Sequence, residues 1–494
     1  MMLVLSPLLV PLITALLTAL LARHAAMQTR VSVLGAATQL IFAAMLLIDV
    51  LQGGRQSVAL GNWPLPYAIE FAADALSAAM VLIAALLGFA TVLFGRHWNE
   101  TGMGMPGLQP LLHGLLAATA AVFLAADLFN LYVWFELMLI SVLGLLVLGG
   151  KRRHGDAAFK YFAVSMLGTL LMLGAVGMIY GATGHLNFSA LRAASIQPGL
   201  AGALPAYIGL LLLAVLLKAG AFPLFAWLPA SYHTLPAPLL ALVGGLLTKV
   251  AAYVLLRLLA DVFVATPGVL IEALGWLALA TMLSGVLGAA YHWDLRRILA
   301  FHIVSQIGYL LFGIALATPA GAAGTVFFLL HNILVKAALF LIAGLMWASA
   351  GHYDLRRIGG LYLARPLLAV LFLVSAFSLV GVPPTTGFWG KFLLLREAFD
   401  QGRYVWGGVA LAVGLLTLYS MSKIWVEGFW KPHPMQQPDH GPAQLRPAAT
   451  ALPATAYTAV MLLSLVILIM GIFPDPFIRY VDAATARFWT GALR

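Results

Sequence analysis

The 494-residue sequence contains no cysteine, and only 9% of its residues are charged, where soluble domains carry roughly 25%. The first absence excludes disulfides, thiolate zinc sites and cysteine-ligated iron–sulfur clusters, so any redox chemistry has to come from a partner. The second excludes an ordinary water-facing surface. Alternation of the kind that builds a membrane β-barrel is also missing. No basic segment precedes the first apolar stretch, which is followed by Arg23, His24 and Arg30. That order predicts a retained first span, not a cleaved signal.

Apolar runs are what the chain has instead. Hydrophobic residues make up 63% of it, in stretches of the ~20 residues that cross a ~30 Å hydrocarbon core as helix. Spans are expected near 2–22, 31–51, 71–95, 111–126, 128–149, 157–181, 205–229, 236–256, 267–290, 295–316, 324–348, 365–396, 404–426 and 453–473. The fold class is therefore all-α, a polytopic membrane protein of about fourteen transmembrane helices. A net charge of +10 raises nucleic acid as a partner, but the cations sit in short loops between spans, which argues against it. With an external N-terminus thirteen loop cations, Arg446 among them, lie inside and seven, Arg494 among them, lie outside. The positive-inside rule then places both termini on the external face. On this reading the run "KRRHGD" at 151–156 is a topogenic cytoplasmic loop. "GMGMPG" at 102–107 fits a dinucleotide-binding spacing, but it has no preceding strand and a proline inside it, so it carries no such function.

Short matches recur at one offset. Asp127-Leu128 returns at Asp294-Leu295 and Gly184-His185 at Gly351-His352, both 167 positions on, and "GLLT" at 245–248 returns at 414–417. The offset carries spans four to eight onto spans nine to thirteen. Five helices is an odd number, so the second unit enters the membrane from the opposite side, as in the inverted repeats of many secondary transporters. The expected organisation is an N-terminal three-helix segment (1–110), a first five-helix repeat (111–259), a second (260–428), and a cytoplasmic loop with a C-terminal helix (429–494). Each repeat contains an interrupted span, the seventh around Pro223 and the twelfth around Pro383 and Pro384. A single break fits a packing kink. Two at matched positions point to a transport site, because lipid cannot satisfy the freed backbone groups.

Five ionisable groups fall close to the middle of their spans: Glu136, Lys218, Lys249, Lys336 and Lys391. Each costs ~2.5–3.5 kcal/mol at the bilayer centre, so they are expected to face one another or water. Taken alone, Glu136 and Lys218 also fit a buried ion pair that fixes helix packing. The set does not, because four ammonium groups share one carboxylate. Such a row, whose proton affinities shift with small movements of one acid, is what a proton relay requires. His331, with His302, Ser305 and Gln306 in "FHIVSQIGYL", can connect it, although a lone buried histidine is as readily a hydrogen-bonded core residue. The histidines form no matched pair for haem.

The stretches "FNLYVWFELM" (129–138), "KAGAFPLFAWLPASYHTLPAP" (218–238), "GLLTKVAAY" (245–253), "SQIGY" (305–309), "HNILVKAALFLIAG" (331–344) and "GVPPTTGFWGKF" (381–392) resemble the antiporter-like subunits shared by respiratory complex I and the Mrp cation/proton antiporters. "YHT" followed by "GLLTKV" is most similar to the D-type Mrp subunits. The resemblance covers nearly the whole chain. It implies that Glu136 and Lys218 are the family's glutamate–lysine pair, that Lys249 is the central relay lysine, that His331 and Lys336 continue the path, and that Lys391 is its terminal lysine. It also implies a hydrated midplane axis. His331 and Lys336 stand five apart, where related chains often have four. The implied function is a proton-translocating subunit of a multisubunit Na+ or K+/proton antiporter in a bacterial inner membrane. It would be a transporter subunit, not an enzyme, and have no cofactor or metal of its own. The implied partners are A-, B-, C-, E-, F- and G-type subunits. The alternative is an antiporter-like membrane subunit of an NADH–quinone oxidoreductase. An autonomous carrier of small anions and a structural scaffold are rivals from other classes.

Overall fold

The computed structural model describes residues 2–432, apart from 62, 66, 99, 101, 102 and 198–202, together with 452–490. Arg446 and Arg494, counted above for orientation, Gly102 of the dinucleotide-like run, and most of the loop before the last span lie outside the described residues. The chain begins with α1 (Met2–Leu20) and α2 (Ala25–Gly53), then a two-stranded antiparallel hairpin, β1 (Gln56–Leu60) and β2 (Ile69–Ala73). There follow α3 (Ala75–Gly95), α4 (Leu108–Leu124), α5 (Leu128–Val147), α6 (Arg152–Thr183), α7 (Phe188–Ser195), α8 (Leu204–Ala219), α9 (Trp227–Tyr232) and α10 (Ala237–Arg257). The second half runs through α11 (Gly268–Tyr291), α12 (Leu295–Ala315), α13 (Pro319–Ala350), α14 (Leu361–Ala364), α15 (Pro366–Val380), α16 (Thr386–Asp400), α17 (Tyr404–Trp425), α18 (Ala454–Ile472) and α19 (Pro474–Thr485).

Among the described residues, eleven helices are long and apolar enough to cross a membrane, and α4, α8 and α15 are shorter apolar helices. Two of the short ones are short for a reason visible in the sequence. α8 stops at Gly220 and α15 at Gly381, both in the left-handed region (φ +73° and +92°) that a side chain with Cβ resists, and prolines follow each. The chain resumes as α9 and α16, so Pro223, Pro383 and Pro384 all lie in irregular segments between paired half-helices. The freed Phe222 N–H is taken up by Thr281 Oγ1 at 3.1 Å.

Two expectations are corrected. Residues 71–73 belong to β2, not to the third span, because Phe71 and Ala73 pair with Val58 and Gln56 and the helix cannot start before its cap, Asp74. The run 151–156 is not a loop, since α6 begins at Arg152 and the cations ride on its first turn.

Helix starts follow capping chemistry. Asp74 accepts from Ser77 N at 2.9 Å while Ser77 Oγ accepts from Asp74 N, and Asp127, Asp294 and Thr318 cap α5, α12 and α13. Isolated antiparallel bridges join Asp127 to Asn187 and Asp294 to Asp354, 167 positions apart on both sides. The hydrogen bonds beside them, Leu128 N to Leu186 O and Leu295 N to Tyr353 O, keep the same offset. Gly184 and Gly351, which end α6 and α13, are both left-handed C-caps.

Burial is graded. α10 and α13 are buried along their apolar length, and α12 nearly so, whereas α1, α2 and α17 leave most of theirs on the surface. At the hairpin end of the bundle, Arg257 closes onto both carboxylate oxygens of Asp74 (2.6 and 2.8 Å) and onto Asp261 (3.1 Å). Arg487, just beyond α19, joins both acids, and Arg192 joins Asp261. At the other end Glu100 accepts from Trp98 Nε1, from the Tyr353 hydroxyl and from the first N–H of α10.

Candidate functional site

Glu136 on α5 and Lys218 in the last turn of α8 are half-buried. A cation is favoured where Lys218 sits, because the carbonyl end of a half-helix is its negative pole. The two make no direct ion pair. Thr169 of α6 stands between them, donating its hydroxyl to Glu136 Oε1 at 2.7 Å and accepting from Lys218 Nζ at 3.0 Å. Gly168 lets α6 come this close to α8, since a Cβ there would lie 3.2 Å from Leu217 Cδ2 and 3.5 Å from the Ala214 carbonyl. The ammonium also lies 5.2 Å from the centroid of the Phe135 ring, whose negative face attracts it.

Further in, Lys249 and Lys336 are fully buried. α10 comes close to α13 at Gly244 and to α3 at Gly245, which carry no side chain: a Cβ on Gly244 would lie 2.7 Å from Phe340 Cε2, and one on Gly245 2.8 Å from Leu87 Cδ2. Lys249 Nζ donates back to Gly244 O at 2.8 Å, whereas Lys336 Nζ has no hydrogen-bond partner among the described residues. Lys336 sits on α13, which packs against both α10, the helix of Lys249, and α16, the helix of Lys391.

His331 is tied sideways, not along its own helix to Lys336. Its Nδ1 lies 2.7 Å from Thr386 Oγ1, which lies 2.8 Å from Ser378 Oγ, so two hydroxyls at the second break hold the imidazole while Nε2 has no partner among the described residues. His302 Nε2 meets Ser420 Oγ of α17 at 2.9 Å, and Gln306 Oε1 accepts from Asn332 of α13 at 3.4 Å. Ser305 Oγ, Gln306 Nε2, Asn332 Oδ1 and His302 Nδ1 are buried without hydrogen-bond partners among the described residues. Buried polar groups are rarely left unbonded, so such a cluster calls for water.

Lys391 donates to the Leu379 and Val380 carbonyls at 3.1 and 2.7 Å, the very groups that the break at Gly381 releases, and its Nζ lies 5.0 Å from the centroid of the Tyr309 ring. The glycine is needed there, because the Lys391 stem passes 3.0 Å from where a Cβ on Gly381 would lie. Among the described residues, no group of three or more His, Asp or Glu side chains is placed to hold a metal ion.

The structure thus joins Glu136 to Lys218 through a third residue, and groups Lys336 with Lys249 and Lys391. Sequence reading missed Thr169, Ser378, Thr386 and Ser420. The one signal that could have found Thr169 is the repeat offset, which carries it onto Lys336.

Residues 125–418 match the family described as NADH:quinone oxidoreductase/Mrp antiporter, TM. The chain is 38% identical over 480 residues to the D-type Na(+)/H(+) antiporter subunit of Alkalihalophilus pseudofirmus, covering 97% of this chain and 95% of that one. Its fold is similar to that of a chain in the Mrp complex from Dietzia sp. DQ12-45-1b, with TM-score 0.88, 31% identity, and 99% and 98% of the two chains covered. A chain of respiratory complex I from Thermus thermophilus is also similar, with TM-score 0.83, 25% identity, and 99% of each chain covered.

Proposed function

We propose, for a chain that belongs to the NADH:quinone oxidoreductase/Mrp antiporter transmembrane family, that it is the D-type, proton-translocating subunit of a multisubunit monovalent cation/proton antiporter. The Alkalihalophilus relative, named for Na(+)/H(+) antiport, and the likeness to a chain of an Mrp complex support antiport over the complex I alternative. The observation that carries the proton path is the row of buried lysines: among the described residues, Lys249, Lys336 and Lys391 have no acidic partner, and backbone carbonyls alone hold Lys249 and Lys391 while nothing holds Lys336. An ammonium so placed releases and regains a proton at little structural cost, provided water reaches it.

The path joins Glu136 and Lys218 to Lys249, then Lys336 with His331, and ends at Lys391, with His302, Ser305 and Gln306 lining it. The Glu136–Lys218 unit sets whether the next lysine holds its proton. Fourteen crossings, made by the eleven long helices and the three short ones, form a three-helix segment, two inverted five-helix repeats and the last helix, α18. The 167-residue spacing of the Asp127 and Asp294 caps and their bridges supports this division. Both termini face outward in a bacterial inner membrane, and the chain has no redox centre of its own. Its partners are the A-, B-, C-, E-, F- and G-type subunits of such a complex.

In everted vesicles carrying the whole complex, Glu136→Ala or Lys218→Ala abolishes cation-driven proton movement while the subunits still co-purify. Undiminished movement in both variants would end this reading. Co-purification with quinone- and NADH-reactive subunits would transfer the chain to the complex I alternative.

A further inference from the structure

We infer that Thr169 is itself a member of the proton path, the hydroxyl through which a proton passes between Lys218 and Glu136, and this rests on the relay reading above. Threonine hydroxyls inside helices normally donate to the carbonyl four residues back in their own helix. Here Thr14, Thr18, Thr119, Thr183, Thr281, Thr325, Thr417 and Thr485 all do so, at 2.7 to 2.8 Å. Thr169 does not. Its one proton goes to Glu136 and its lone pair takes the Lys218 ammonium. Among the described residues these are also the only side-chain hydrogen bonds that Glu136 and Lys218 make.

Position gives a second, independent argument. α6 and α13 are each 32 residues long, and their starts and ends are both 167 positions apart. Thr169 and Lys336 therefore occupy the same turn of equivalent helices. Where the second unit places an ionisable group on its central helix, the first places a group that can pass a proton without holding one.

The bonds already point the right way for a concerted step. A Lys218 N–H bond breaks as that proton bonds to Thr169 Oγ1; the original Thr169 O–H bond breaks as its proton bonds to Glu136 Oε1. One proton is transferred, and the ammonium and carboxylate become a neutral amine and a neutral acid. The threonine ends as a hydroxyl with its dipole reversed, now donating toward Lys218. The return step restores it, and valine, with the same shape and no proton, can do neither.

The test is the initial rate of cation-driven proton movement in everted vesicles containing the complete complex, with co-purification of the subunits scored alongside. Thr169→Val lowers the rate about tenfold or more, the scale of losing a hydrogen bond to a charged group, while Thr169→Ser stays within about twofold of the parent. The infrared carboxylate bands that Glu136→Ala removes also shift in Thr169→Val and return in Thr169→Ser. A normal rate in Thr169→Val, or equal losses in the valine and serine variants, overturns the assignment and leaves a packing role. If the valine variant does not assemble, Thr169→Cys carries the test, with an intermediate rate expected and a full rate overturning the assignment. Glu136→Ala runs beside them: if it abolishes movement while Thr169→Val does not, only the threonine assignment falls, and if it has no effect the relay reading falls first.

Discussion

Gly471 on α18 carries no chemistry, yet replacing it with alanine is expected to slow proton movement, because the helix presses its bare backbone against the second break. A Cβ there would lie 2.6 Å from the Pro384 carbonyl oxygen and 2.8 Å from Thr386 N, where ordinary contact begins at 3.4 Å. Both neighbours are backbone, so no side chain can swing aside, and the segment 384–386 or α18 itself has to yield by about 0.8 Å, the difference between those contacts. Thr386 itself is short of ordinary contact by about 0.6 Å, and that displacement, taken fully along its 2.7 Å bond to His331, stretches the bond to about 3.3 Å, past the usual hydrogen-bond range. Losing a hydrogen bond worth ~1 kcal/mol corresponds to about fivefold in rate, and the overpacking itself costs ~1–3 kcal/mol of stability. The assay is fluorescence-dye quenching in everted vesicles, with thermal unfolding of the purified complex measured alongside. Gly408→Ala on α17, where nothing lies within 4 Å of the new methyl, serves as control and should be neutral or slightly stabilising. Parental rate and stability in Gly471→Ala would refute the idea that the break's position governs His331.

Two further substitutions test how the ends of the bundle are held. Burial pushes the Asp74 carboxyl up, but the Arg257 and Arg487 guanidiniums outweigh it and hold it well below the usual carboxylate range. Asp74→Asn should therefore cost ~3 kcal/mol, the low end for breaking a buried pair because Asp261 remains beside Arg257, read as a fall in unfolding temperature. A lowered native pKa stabilises above the unfolded value of about 4, so the gap to the parent should be constant from about pH 5 to about pH 8 and shrink only below about pH 4. At the opposite end, Glu100→Ala leaves the first N–H of α10, the Tyr353 hydroxyl and the Trp98 indole without their acceptor. It should lower the unfolding temperature by an amount matching ~1–3 kcal/mol, and an unchanged melting curve would show that the contacts at Glu100 are idle.

Hydropathy located the long spans because a membrane core demands a fixed length of apolar helix, and that demand is written locally. The breaks were legible for a similar reason, since Pro223 and the Pro383–Pro384 pair forbid continuous helix on their own. What escaped was whatever depends on partners far away in the chain. The hairpin of β1 and β2 has strands of five residues and is pinned by Asn187, more than a hundred residues on, whose amide donates to Glu70. Nothing near Asp74 announces Arg257, 183 residues away. The lysines of the proposed relay stood out as charges in oil. The hydroxyls of Thr169, Ser378, Thr386 and Ser420 did not, because threonine and serine in apolar helices are commonplace and only the third dimension reveals which of them turn away from their own backbone.

Lys391 rests on two carbonyl oxygens at the frayed end of α15, not on an acid. A carboxylate facing it would compete for the same proton and, once the lysine emptied, would remain as a bare negative charge in oil. Peptide oxygens do neither. They are dipoles of fixed strength at any pH, so on the proposed path the last lysine discharges and recharges without a second titration following it, the broken helix serving there as a counter-ion that never takes the proton itself.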